Sequence, residues 1–160
     1  MLMAYPSEKT RVILLVDDDA DDRSMFCDAL HEVDDSVECI TAQDGAEALG
    51  ILRTKAGALP DFIFLDLNMP RLNGQQCLRE IRQALHLEHI PVIIYTTSRQ
   101  QRDIDETKRL GAAGFITKPN TFDGICRSIA SVLTNPDAGP RPFLTTCRRS
   151  VLLSGFFPVS

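Results

Sequence analysis

Between Arg11 and Thr134 the chain alternates five times between a short apolar run and a stretch with helical spacing, and this alternation constrains the fold more than any other feature. The runs are Val12–Val16, Val37–Thr41, Phe62–Leu65, Val92–Tyr95 and Gly114–Thr117. Met25, Phe26, Ala29, Leu30 and Val33 form a stripe after the first run. Cys77, Leu78, Ile81 and Leu85 do so after the third, and Phe122, Ile125, Cys126, Ile129 and Leu133 after the fifth, at the three- and four-residue steps of a helix face. Asp44 with Glu47, and Ser98 with Gln101, carry a helix-start signal in which a cap oxygen and a long side chain satisfy orphan N–H groups. Such repetition predicts an α/β domain, a parallel sheet covered by helices on both faces. Val12–Val16 and Phe62–Leu65 are unbroken and suit central strands, whereas Glu38 interrupts Val37–Thr41 and suits an edge.

A chain of 160 residues, 44% hydrophobic, fits one such domain with enough core to fold without disulfides or structural zinc. The domain is expected over 11–135, after an N-terminal extension of 1–10 and before a C-terminal tail of 136–160. Asn135-Pro136 and Gly139-Pro140-Arg141-Pro142 mark that boundary, because proline cannot continue a helix. The tail is too short for a DNA-binding or catalytic output domain. Its Val151–Leu153 and Phe156-Phe157 either dock on a partner or the sheet, or belong to a disordered segment. A net charge of -5 and a pI of about 5.1 argue against a nucleic-acid surface. No apolar run reaches the roughly 18 residues of a spanning helix, and Met1–Thr10 lacks a signal core, so a cytoplasmic protein is expected. Cys27, Cys39, Cys77, Cys126 and Cys147 are scattered and form no C-x-x-C pair, so they read as buried free thiols.

In an open parallel sheet, ligands bind beyond the carboxyl ends of the strands. Here those ends carry Asp17-Asp18-Asp19, Asp66, Thr96-Thr97 and Lys118-Pro119. Two carboxylates ~4 Å apart repel by about 4 kcal/mol at an effective dielectric near 20, so Asp17, Asp18 and Asp66 call for a cation among them. Their all-oxygen donor set favours Mg²⁺, and Lys118 offsets the remaining charge. Acids that merely open the following helix explain Asp21 and Asp22, but not Asp66. A carboxylate beside a hard metal, a hydroxyl and a lysine has the makings of a phosphoryl acceptor, and Asp66 is the best placed. Pro70 and Gly74 favour a tight loop after it, which would turn the Asn68 carbonyl toward the metal.

Val16-Asp17-Asp18, Phe64–Pro70, Asn73-Gly74, Tyr95-Thr96 and Phe115–Pro119 together resemble the receiver domain of two-component response regulators. The resemblance runs from Arg11 to Thr134 with its motifs in order. It implies a CheY-like, flavodoxin-type (βα)5 three-layer sandwich with strand order 2-1-3-4-5. By the same resemblance Asp66 is the phosphorylated aspartate. Asp18 binds Mg²⁺ directly, Asp17 through water and Asn68 through its backbone carbonyl, with Mn²⁺ an acceptable substitute. Thr96 closes on the phosphoryl group, Lys118 is its ionic partner, and Phe115 is the aromatic switch that turns inward as the threonine moves. Lys118-Pro119 commonly takes a cis bond in this family. Two departures stand out: Thr97 where many relatives carry alanine, which bears on the space left for Phe115, and Asn120 in place of a frequent phenylalanine.

The resemblance further implies a phosphoacceptor switch that assists its own phosphorylation and dephosphorylation, rather than an enzyme. Its partners would be a sensor histidine kinase or histidine phosphotransfer protein and a downstream protein target, as a monomer or a phosphorylation-dependent dimer. A haloacid dehalogenase-type phosphatase would require an acid at the position of Asn68, which cannot transfer a proton in that role. A flavodoxin-like cofactor binder would have to place phosphate against the acids of Asp17–Asp22. A receiver-like docking module that works without phosphorylation remains a third reading. His86 and His89 suit a solvated loop, His31 a helix end, and Arg99–Arg109 a solvated helix face with a secondary role in partner exchange.

Overall fold

The computed structural model describes residues 10–54 and 59–134, so the expectations for 1–9 and for the tail, Cys147 included, lie outside the described residues. Five strands, β1 (Val12–Val16), β2 (Glu38–Ala42), β3 (Phe62–Leu65), β4 (Val92–Thr96) and β5 (Gly114–Thr117), alternate with five helices. The helices are α1 (Ala20–Val33), α2 (Gly45–Thr54), α3 (Gly74–Gln83), α4 (Gln101–Arg109) and α5 (Phe122–Leu133). All strand pairs are parallel, in the order β2-β1-β3-β4-β5, which is the CheY-like α/β fold.

Every residue of β1 and β3 is buried, as their unbroken apolar runs require of strands covered on both faces. The two-residue period of the strands divides the core. Leu14, Val16, Ile63, Leu65 and Ile94 face one helical layer with Ala48, Leu52, Leu78 and Ile81. Ile13, Leu15, Phe64, Ile93 and Tyr95 face the other, with Phe26, Leu30, Ile125 and Ile129. On that second side Phe26, Phe64 and Tyr95 meet edge-on, with ring centroids 4.9, 5.4 and 6.1 Å apart. Such pairs contribute about 0.5–1.5 kcal/mol each beyond their buried area.

Several local expectations shift. β2 begins at Glu38 rather than Val37, because Val12 pairs with Glu38 and Val16 with Ala42, while the Val37 N–H turns back to the Asp34 carbonyl. It is an edge strand, as its charge suggested. Met25 is 43% and Leu85 83% exposed, so neither joins its stripe in the core; Leu85 lies beyond the Ala84 cap where helical geometry has ended. Ser98 does not cap α4. The helix starts at Gln101 with no side-chain cap, and Ser98 instead accepts the Gln100 N–H and donates to the Asp103 carboxylate. Asp44 does accept the Glu47 N–H at α2, but Glu47 returns to the Gln43 N–H, one residue outside the expected pair. The Lys118–Pro119 bond is trans, the isomer an X–Pro bond ordinarily favours by about 0.5–1 kcal/mol.

Candidate functional site

Register brings the acids together. Val16 sits level with Leu65, so β1 and β3 end side by side; the Asp66 N–H bonds the Val16 carbonyl and the Asp17 N–H the Ala42 carbonyl. Asp17 and Asp66 therefore leave adjacent strands at one height, both buried, while Asp18 is exposed at the rim. Carboxylate oxygens of Asp17, Asp18 and Asp66 all lie within 4.8 Å of one another.

Lys118 enters from the end of β5, where its N–H bonds the Thr96 carbonyl at 2.8 Å. Its side chain is only 9% exposed, and its Nζ stands 2.6 Å from Asp17 Oδ2, 2.8 Å from Asp22 Oδ2 and 3.2 Å from Asp66 Oδ2. Burial works to strip the proton from this ammonium. The close carboxylates of Asp17 and Asp22, with the charge of Asp66, outweigh that and hold it above the ordinary lysine range. The Tyr95 ring centroid lies 5.8 Å from Nζ. Burial pushes the Asp17 carboxyl up, against the opposing pull of the Lys118 ammonium.

The loop after β3 depends on close approach. A Cβ on Gly74 would stand 2.1 Å from the Asp66 carbonyl oxygen and 2.7 Å from the Leu67 Cα, so only glycine lets α3 start against the end of β3. Asn73 and Gln76 cap that start reciprocally, and Arg71 takes a positive φ of 64° to close the turn, next to an exposed Pro70. The Asn68 N–H reaches back to Asp66 Oδ1 at 3.2 Å. Thr96 is fully buried at the end of β4, and its Oγ1 accepts the Ser98 N–H at 3.4 Å. Phe115 is fully buried opposite Ile94. Thr97 is exposed, which sends its extra bulk to solvent rather than into the space beside Phe115. Asn120, His31, His86 and His89 are likewise exposed.

Asp22 opens α1 as the sequence suggests, and it has a second role that the spacing did not show: it holds Lys118 with Asp17 and Asp66. The available signal was its place one turn into α1: Asp19 is the N-cap, accepting the Asp21 and Asp22 N–H groups, and the helix then carries Asp22 across the rim.

The donor set fits a hard divalent cation. Its three acids are oxygen donors, and Asp17 Oδ2 is buried without a well-directed hydrogen bond, although the ammonium touches it as an ion pair.

A parallel sheet in this order, with acids at the ends of β1 and β3 and a lysine at the end of β5, defines an α/β signalling domain. The chain belongs to the response regulator receiver domain family, whose model matches residues 13–130. It is 32% identical over 121 residues to Protein PilH of Pseudomonas aeruginosa, covering 76% of this chain and 96% of that one. It is 29% identical over 134 residues to Response regulator Rcp1 of Synechocystis sp., covering 81% and 91%. Among solved structures it resembles the phosphorylated cyanobacterial phytochrome response regulator RcpA, with TM-score 0.70, 31% identity, and coverage of 76% and 90%. It also resembles the Mn(2+)-bound form of Rcp1, with TM-score 0.65, 28% identity, and coverage of 76% and 91%. Receiver domains are phosphoacceptor switches rather than classical enzymes, and histidine kinases phosphorylate them. Among the described residues no helix is long and apolar enough to cross a membrane.

Proposed function

We propose that this protein works as a single-domain response regulator, in which Asp66 accepts a phosphoryl group from a histidine kinase or a histidine phosphotransfer protein. One observation carries this reading: the ends of β1, β3 and β5 bring Asp17, Asp18, Asp66 and Lys118 to one rim. Rcp1 and PilH, a response regulator and a receiver-family relative, are matched over 91% and 96% of their own length, which supports this reading.

An Asp66 oxygen attacks phosphorus, the bond to the donor imidazole breaks, and that nitrogen keeps the electron pair. Lys118, whose Nζ is 3.2 Å from Asp66 Oδ2, offsets negative charge on the group as it arrives. Thr96 offers a hydroxyl to a phosphoryl oxygen. Asp17, Asp18, Asp66 and the Asn68 carbonyl would hold Mg²⁺, or Mn²⁺ in its place. The bound cation would supply further charge neutralisation at the phosphoryl oxygens. With Asn68 two residues after the acceptor, the acid that a haloacid dehalogenase-type phosphatase uses at that place is missing.

Thr96 connects outward through Ser98 to Asp103 on α4, so a hydroxyl drawn toward the phosphoryl group biases α4, β5 and the buried Phe115. A downstream protein reads that population shift, with the receiver as a monomer or a phosphorylation-dependent dimer.

Asp66→Asn is expected to abolish labelling by acetyl phosphate in Mg²⁺, measured by intact-protein mass or a phosphoprotein gel. Undiminished incorporation in that variant would overturn the assignment.

A further inference from the structure

Cys27, midway along α1, and Cys39, on the edge strand β2, are twelve residues apart in sequence, and their sulfurs stand 2.8 Å from each other. Both side chains are half-buried. A disulfide needs a separation of about 2.05 Å, so the sulfurs have only ~0.75 Å to travel from their present 2.8 Å. The other described cysteines lack this arrangement. Cys77 is buried in the opposite layer and points its thiol at the Gly45 carbonyl; Cys126 points at the Ala29 carbonyl. The phosphoacceptor site uses none of them.

We propose that Cys27 and Cys39 form a dithiol modification site that low-molecular-weight disulfides oxidise to an intramolecular disulfide. The two thiols are chemically unequal. The contact with Cys39 draws the Cys27 thiol below its ordinary range, with help from Arg23 and against burial and Asp28. The same contact, with burial, pushes the Cys39 thiol up. Either sulfur can donate in that contact, and whichever ionises attacks while its neighbour resolves.

One cysteine of the pair, as a thiolate, attacks one sulfur of the reagent. The reagent's S–S bond breaks, one small thiolate leaves with the electron pair, and a mixed disulfide stands on that cysteine. Its neighbour then loses its proton and attacks the protein sulfur of the mixed disulfide, expelling the second small thiolate. The two thiolates take up the two protons given by the cysteines, so the protein loses two hydrogens and one reagent disulfide becomes two thiols. In a reducing compartment the pair stays as the dithiol. The link would join α1, whose Arg23 donates to the Asp17 carbonyl, to β2, whose Ala42 carbonyl accepts the Asp17 N–H.

The test uses the full chain in buffers of graded reduced and oxidised glutathione, quenched by alkylation and mapped by peptide mass spectrometry. In the wild type, Cys27 and Cys39 should lose alkylation together, and a peptide joining them should appear with the loss of two hydrogens. Each single variant, Cys27→Ser or Cys39→Ser, should stop at one glutathione on the remaining thiol of the pair. Cys77 is an internal monitor, because its buried thiol is alkylated only if the fold opens. Persistence of both free thiols at full oxidation would overturn the proposal. So would a wild type that stops at glutathione adducts, or a link to a different cysteine. None of these readouts involves Asp66, so this result and the phosphorylation result stand or fall separately.

Discussion

The two helices on either side of β5 in the chain are held in unlike ways. α5 buries Ile125, Ser128, Ile129, Val132 and Leu133, and the Thr121 hydroxyl caps its first turn by accepting the Gly124 N–H. α4 buries Thr107 alone, leaves Ile104 and Leu110 half-covered, and has no side-chain cap at Gln100. A fully buried aliphatic side chain contributes about 1.5–3 kcal/mol, so α5 is anchored several times over while α4 rests on a narrow contact. Yet α4 is the helix tied to the site, through Asp103, Ser98 and Thr96. Of the two helices, the one tied to the proposed signal is the less committed to the core, which is what a switch needs if a modest differential interaction is to move it.

The sharpest way to break this contrast is core truncation. Ile129→Ala in α5 should cost about 2–5 kcal/mol in denaturant unfolding, whereas Ile104→Ala in α4 should cost less than about half as much. Equal losses would mean that α4 is as firmly packed as α5. Native-state hydrogen exchange probes the same difference without mutation. Amides of α4 should exchange at least tenfold faster than those of α5, or about 1.4 kcal/mol easier opening, and matched protection would contradict the comparison. Thr121→Ala should then lose about 1 kcal/mol by removing the α5 cap, read as a lowered denaturant midpoint. The smallest effect sharpens the contrast from the other side. Gln100→Asp should supply the missing cap to α4 and stabilise it by about 0.5–1 kcal/mol, seen as slower exchange confined to that helix.

Much of the architecture was legible in the chain because period-two and period-3.6 patterns report which faces are covered. Val12–Val16 and Phe62–Leu65 announced themselves as central, and Glu38 marked its strand as an edge. The acid, hydroxyl and lysine ends of the strands were legible for the same reason, since a parallel sheet delivers its carboxyl ends to one side. What failed were questions of phase and reach. Met25 lies on the flank of its helical stripe and Leu85 beyond the end of its helix, and spacing alone does not say where an element stops. Ser98 has the composition of a cap, but its hydroxyl is committed to Asp103.

The sequence by itself determined that helices and strands would alternate, that β1 and β3 would be central, and that carboxylates would sit where those strands end. These are local matters, settled by side-chain chemistry and periodicity within a few residues. Only the tertiary structure decided that Asp22 would share Lys118 with Asp17 and Asp66, and that Cys27 would meet Cys39. Both outcomes depend on how α1 is set down against α5 and β2. That docking is fixed by side-chain packing among elements distant in the chain, which no local pattern encodes.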